Sequence, residues 1–114
     1  MAYDEKLAVR MRRALSRLHR ITEKKMFGGI CFLLRDHMLC GLGKPGFMFR
    51  VGKEREVEAL ARPGASQMKF NGRRFGGFVW VDPSRCTDRD LRGLIVLARD
   101  YIAELPPKKR QKRV

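Results

Sequence analysis

The chain is poor in the residues from which catalytic sites are usually built. It has two histidines, His19 and His37, and neither lies near a cysteine or carboxylate at metal-ligand spacing. His37 reads as a turn residue. Cysteine occurs three times (Cys31, Cys40, Cys86), an odd number without paired spacing, so a disulfide scaffold is disfavoured and reduced thiols are expected. Cys31 and Cys40 also lie in apolar runs, where burial raises a thiol pKa and suppresses its nucleophilicity. Ser16, Ser66 and Ser84 lack a nucleophile-elbow context, and no G-x-x-x-x-G-K-[ST] loop occurs. No apolar run approaches the roughly 20 residues that span a bilayer, and MAYDEKLAVRMRR has no signal-peptide core. A soluble, cytoplasmic protein without enzymatic activity, cofactor, metal or membrane partner is expected.

Acid is the other scarcity. Twelve Asp and Glu face twenty-six Lys and Arg, for a net charge of +14. Five of the cations (Lys108, Lys109, Arg110, Lys112, Arg113) follow Pro107, so +9 remains on the rest of the chain. Such a surplus favours a polyanionic partner, nucleic acid first, although high charge also simply keeps a protein soluble. Basic residues gather without acids in two places. One is the row Lys6, Arg10, Arg13, Arg17 and Arg20, at helical spacing; the other is the tail. Together they form the candidate polyanion-binding surface.

At 114 residues the chain has enough length for one core. Asp4 to about Arg20 reads as a helix, with Leu7, Met11, Ala14, Leu15 and Leu18 as its apolar stripe. Lys24 to Val51 holds three or four short apolar runs separated by Gly-Gly, Asp-His and Gly-Lys-Pro-Gly, the pattern of antiparallel strands. A two-residue turn at Asp36-His37 would pair Leu34 with Leu39 and Leu33 with Cys40, making Cys31 and Cys40 diagonal neighbours on one face. Both faces of this hairpin are apolar, which suggests a second cover beyond one layer of helices, such as a homodimer.

Lys53 to Ala61 reads as a short helix burying Val57, Leu60 and Ala61, stopped by Arg62-Pro63-Gly64. Asn71-Gly72 marks a type I′ hairpin, and Phe78-Val79-Trp80-Val81 a buried strand with Trp80 in the core. Thr87 and Asp90 form a capping-box pattern before the stripe Leu91, Leu94, Ile95, Ala98, Ile102 and Leu105. The fold class is α+β: a mostly antiparallel sheet of about five strands flanked by helices, in the order α-β-β-β(-β)-α-β(-β)-α. The folded domain is placed at residues 1–107 and a disordered basic tail at 108–114.

Gly41-Leu42-Gly43-Lys44-Pro45-Gly46 matches G-x-G-x-x-G, but strand-like residues follow where a dinucleotide site needs a helix, so it reads as a hairpin loop. Phe32, Phe47, Phe49, Phe78 and Trp80 are assigned to the core; the alternative is a platform on which bases stack.

Met26-Phe27-Gly28-Gly29, Phe49-Arg50-Val51, Ala61-Arg62-Pro63-Gly64-Ala65 and Gly77-Phe78-Val79-Trp80-Val81-Asp82-Pro83 follow one another in order. Together, over about Asp4 to Pro107, the chain resembles the N-terminal domain of the TfoX/Sxy competence-regulator family. The resemblance implies a bacterial, cytoplasmic α+β domain with no catalytic residues to carry over. In the full-length regulators this domain precedes a helical one, and the protein helps a cyclic-AMP-receptor-type activator switch on DNA-uptake genes. Here the basic tail stands where that second domain would begin, so a stand-alone relative is expected. The implied function is a small non-enzymatic regulator acting with transcription machinery through protein contacts, with nonspecific DNA contact. The alternative is a pure protein-interaction module with no nucleic-acid role.

Overall fold

Short β-branched and aromatic runs, punctuated by residues that accept positive φ, build a sheet backed by helices. The structure, a computed structural model, describes residues 3–26 and 28–106; the basic tail lies outside the described residues. The elements are α1 (Glu5–Ala14), β1 (Ile21–Met26), β2 (Gly29–Leu34), β3 (His37–Gly43), β4 (Gly46–Arg50), α2 (Glu56–Leu60), β5 (Ala65–Phe70), β6 (Arg73–Val81), a 3₁₀ turn at Pro83–Arg85 and α3 (Asp88–Ala103). All strand pairs are antiparallel, in the spatial order β1-β2-β3-β4-β6-β5. The α+β class and element order are as expected, with six strands where about five were expected; the polar edge strand ITEKKM supplies the extra one.

Neighbours across a ladder share a face of the sheet, and alternate residues of a strand face opposite ways. Ile30, Phe32, Cys40, Leu42, Phe47, Phe49, Val79 and Val81 thereby lie on one face. They form a single core with Ala8 and Met11 of α1, Ala59 of α2, and Leu91, Leu94, Ile95, Ala98 and Ile102 of α3. Burying each large aliphatic or aromatic side chain stabilises by about 1.5–3 kcal/mol, so this face carries most of the fold's stability. α3 is positioned by its capping box. Thr87 Oγ1 accepts from the Asp90 N–H and Asp90 Oδ2 accepts from the Thr87 N–H, both at 3.1 Å.

Several local readings are corrected. α1 ends at Ala14, not near Arg20. Leu15 and Leu18 still reach the core, through consecutive tight turns (Leu18 N–H to Leu15 O, 2.9 Å) that preserve a three-residue spacing. Arg20 takes φ +64° where the chain turns into β1. The β2–β3 turn is Arg35-Asp36, with φ +52° and +68°, one residue earlier than Asp36-His37. The register then shifts beside Leu33, so Phe32 pairs with Cys40 and Cys31 with Gly41. A one-residue slip exchanges faces, and the two cysteines lie on opposite sides of the sheet.

α2 is shorter than expected and turns differently: Glu56 and Ala59 are buried while Val57 is 80% exposed. Trp80 is only partly buried, on the face away from the helices, because Val79 and Val81 occupy the core positions of β6. The Asn71-Gly72 turn (φ +52° and +77°) and the Gly41–Gly46 hairpin form as expected.

Gly28 (φ +73°) turns the chain between β1 and β2, and Gly29 is pressed against the next strand. A Cβ at Gly29 would lie 2.1 Å from the Leu42 carbonyl oxygen. Gly29→Val should therefore destabilise the domain by about 3 kcal/mol and lower its thermal midpoint by about 10–20 °C. A midpoint within 2 or so degrees of the parent, by thermal circular dichroism, would contradict this packing.

Candidate functional site

The basic row does not survive as a row. Arg10 leaves it: its guanidinium bonds Asp88 Oδ1 (3.0 and 3.2 Å), the Cys86 carbonyl (2.8 Å) and the Pro83 carbonyl (3.2 Å). It also lies 5.4 Å from the Phe47 ring centroid. Packing of α1 on α3 brings Arg10 to the start of α3, where exposed carbonyls and Asp88 collect its donors. It is a structural tie. Arg17 and Arg20 fall beyond the end of α1, so helical spacing no longer aligns them with Lys6 and Arg13. All four remain exposed. Arg12, one residue off the row, is held by Glu5 and by both oxygens of Glu23, which raise its pKa. Lys108, Lys109, Arg110, Lys112 and Arg113 lie outside the described residues.

A cleft of about 410 Å³ opens where β4 and β6 leave the sheet beside the end of α3. Arg50, Gly52, Lys53, Gly77, Phe78 and Tyr101 are among its walls. Two glycines with positive φ, Gly52 (+82°) and Gly77 (+87°), meet here; the Gly77 carbonyl accepts from the N–H groups of Val51 (2.8 Å) and Gly52 (3.1 Å). A Cβ at Gly52 would sit 2.3 Å from the Tyr101 ring, so only glycine fits.

Glu56 fixes this crossing. Its side chain is almost fully buried, accepts the Gly77 N–H at 2.8 Å and pairs with the Arg74 guanidinium. Burial pushes the Glu56 carboxyl up, but the Gly77 N–H and Arg74 outweigh it, and the net shift is downward. Arg55 and Glu104 pair across the mouth. Among the described residues, no carboxylate pairs with Arg50 or Lys53. Arg50 instead lies 5.9 Å from the Phe78 centroid and 5.3 Å from that of Tyr101. The cleft is thus a glycine-floored notch of mixed charge, with Glu54 and Glu104 among its walls beside Arg50, Lys53 and Arg55.

The sheet's second face has no helix against it. The ladder places Lys24, Cys31, Gly41, Met48, Trp80 and Ser66 in one row across it. Cys31 and Met48 are buried, yet neither belongs to the helix-side core. They lie over Gly41, whose missing side chain leaves room for them, and Trp80 lies over Gly43. Phe78 shares the face two residues before Trp80, and Phe75, 46% exposed, packs on Phe78 with ring centroids 5.8 Å apart. Sequence reading assigned Phe78 and Trp80 to the core and kept a surface platform only as the alternative, although their alternation with Val79 and Val81 already carried the signal.

The thiols are enclosed. All three cysteines are free and buried. Desolvation raises the thiol pKa of Cys31 and Cys40, and lifts that of Cys86 to about 11. His37, the first residue of β3 rather than a turn residue, hydrogen-bonds the Pro106 carbonyl through Nε2 at 3.1 Å. Among the described residues no cluster of three His, Cys, Asp or Glu could hold a metal, and no helix is long and apolar enough to cross a membrane.

A helix-backed antiparallel sheet with one open face, a glycine crossing locked by a buried glutamate, and a basic surface define a small α+β domain. The chain belongs to the TfoX N-terminal domain family, whose model matches residues 13–100. No curated protein and no solved structure gives a significant match.

Glu56→Gln keeps an acceptor for Gly77 but loses the charge that Arg74 complements. It should cost about 1–3 kcal/mol at neutral pH. Because the folded-state pKa is depressed, the stabilisation is complete above the unfolded value of about 4.3 and is lost as pH falls through and below it. Denaturant melts should show the parent and variant converging in acid, and a constant gap from neutral pH down to about 3 would refute the assignment.

Proposed function

We propose that this domain is a non-enzymatic regulator that acts with transcription machinery through protein contacts and touches nucleic acid through nonspecific phosphate contacts. The family membership supports a TfoX-like regulatory role. The observation that carries the nucleic-acid part is where the acids go. Seven of the twelve carboxylates are committed to ion pairs within the fold. Three more, Asp4, Asp82 and Asp90, cap backbone N–H groups. Among the described residues, those seven pairs engage six arginines. The net charge of +14 leaves a surplus of cations, which attracts a polyanion over several ångströms without defining a sequence.

The exposed residues Lys6, Arg13, Arg17 and Arg20, with Lys108, Lys109, Arg110, Lys112 and Arg113, are the groups assigned to phosphate contact. Arg10 is excluded from that set by its bonds to Asp88, Cys86 and Pro83.

Binding of labelled duplex DNA should show dissociation constants on the order of 10⁻⁴–10⁻⁶ M at physiological salt, weakening steeply as salt rises. Each phosphate contact adds about 0.9 to the slope of log affinity against log salt. Replacing the five tail cations by glutamine should flatten that slope by several units. Arg13→Gln with Arg17→Gln should flatten it by up to about 2. Absence of duplex binding at low salt would remove the nucleic-acid part, leaving capture of transcription proteins in nuclease-treated extracts to test the rest.

A further inference from the structure

We propose that one corner of the domain grips the backbone of duplex nucleic acid: the corner where α1 runs into β1, β2 turns into β3 and the chain leaves α3. Arg17, Arg20 and Arg35 are its fixed phosphate contacts, and His37 is a positioning residue that holds the root of the basic tail beside them. The inference rests on the preceding reading for the chemistry of the ligand. It adds Arg35 and His37, and it makes the folded cations and the tail parts of one site.

Three observations carry it. First, the ladder brings together segments that are distant in the chain. Ile21 pairs with Leu34 and Leu34 with His37, so these three residues close the same end of β1, β2 and β3. Arg20 and Arg35 are the next residues beyond that row, rooted on neighbouring strands about 5 Å apart. His37 Nε2 donates to the Pro106 carbonyl at 3.1 Å, and the first tail cation, Lys108, follows two residues later. Chain length alone tethers Lys108 within about 7 Å of Pro106.

Second, the corner stands on a firm base. Leu18, Ile21, Leu34 and Leu105 all pack against the core. They are the immediate chain neighbours of Arg17, Arg20, Arg35 and Pro106 respectively. Apolar anchoring thus fixes the backbone from which each cation springs, while the charged ends stand in water. Arg17, Arg20 and Arg35 are exposed, and among the described residues none of the three forms an ion pair. Of the acids beside them, Asp36 offsets one charge and Glu104 is paired with Arg55, so the surplus is positive.

Third, two of these arginines sit where an arginine is costly. Arg20 (φ +64°) and Arg35 (φ +52°) hold the left-handed backbone that glycine and asparagine adopt most readily. Arg35 takes the first central place of a two-residue hairpin turn, where Asn-Gly or Asp-Gly is the stable choice. Stability is given up at two adjoining places for the same side chain, the pattern expected of a surface shaped by a ligand's charge.

These features select among occupants. The exposed large hydrophobics of the described residues are Val9, Val57, Phe75 and Val96, and none belongs to the segments of this corner. The corner therefore lacks the apolar anchor on which protein interfaces centre. A phosphate backbone needs none: fixed cations and a basic arm that follows the strand suffice.

The full chain, the double variant Arg20→Gly with Arg35→Asn, and the variant with five tail glutamines are titrated with labelled duplex DNA over a range of salt, beside thermal melts. The double variant should melt at or above the parent's temperature, since each replacement suits its backbone. Its slope of log affinity against log salt should nevertheless fall by about 1.8, the loss of two phosphate contacts. Arg17→Gln touches neither strained residue and should lower the slope by about 0.9. Arg35→Lys keeps the charge and should keep the parental slope. His37→Ala should weaken binding by the parent about 2- to 10-fold, the worth of one hydrogen bond, and leave the affinity of the tail variant unchanged.

A parental slope in both the double variant and Arg17→Gln would overturn the proposal while leaving nonspecific contact elsewhere on the surface intact. An equal His37→Ala loss with and without the tail cations would overturn the joining of tail and corner into one site. Absence of duplex binding by the parent would overturn both readings. Poly(L-glutamate) held as tightly as the duplex would assign the corner to an acidic protein surface and overturn this one.

Discussion

Packing of three helices against a single face of the sheet is the constraint from which the rest follows. Phe47, Phe49, Val79 and Val81 are fully buried because Ala8, Met11, Leu94 and Ala98 fill the space above them. That burial sets the register of β4 against β6, since a slip of one residue would put Phe78 and Trp80 into the core and Val79 and Val81 outside. It also fixes where α3 begins. Arg10 on α1 then meets the carbonyls of Pro83 and Cys86, and Asp88 completes the tie. The same arrangement leaves the opposite face without a helix. The helix-covered core and the face without a helix are thus two sides of one pleat.

Electrostatics and packing are coupled at Glu56. Burying a carboxylate is costly unless its oxygens are paired, and here a backbone N–H and an arginine satisfy it. The return is geometric: Gly77 is held where its carbonyl can bind Val51 and Gly52, and the notch beside Arg50 and Phe78 keeps its shape. Elsewhere the acids cap helices or bind neighbouring arginines. These other pairs and caps lie at the surface, with their carboxylates 40–62% exposed in the ion pairs, so Glu56 is the acid that the interior has to satisfy.

How much of this was legible varied with how local the controlling interaction is. The Thr87–Asp90 capping box, the Asn71-Gly72 turn and the apolar stripe of α3 were readable because each is decided within a few residues. The element order and fold class were readable for the same reason, as sums of local signals. The β2–β3 turn was misplaced by one residue because Arg35-Asp36 and Asp36-His37 are comparably plausible turn pairs. Only the register that buries Phe32 and Cys40 together distinguishes them. The α1 boundary was overrun because tight turns keep Leu15 and Leu18 on the spacing a helix would give them.

The candidate site shows the same division more sharply. Charge surplus, the scarcity of acid and the apolar character of both sheet faces are properties of the sequence itself, fixed by composition and by the two-residue period of a strand. Which cations stay exposed was decided by tertiary structure: Arg10 and Arg74 are engaged by Asp88 and Glu56, partners 78 and 18 residues away in the chain. Which aromatics are core and which form a surface was decided there too. Alternation splits Val79 and Val81 from Phe78 and Trp80 but does not say which set the helices will cover. That choice belongs to the packing, because it depends on the combined shape of α1, α2 and α3 above the sheet and not on any one strand.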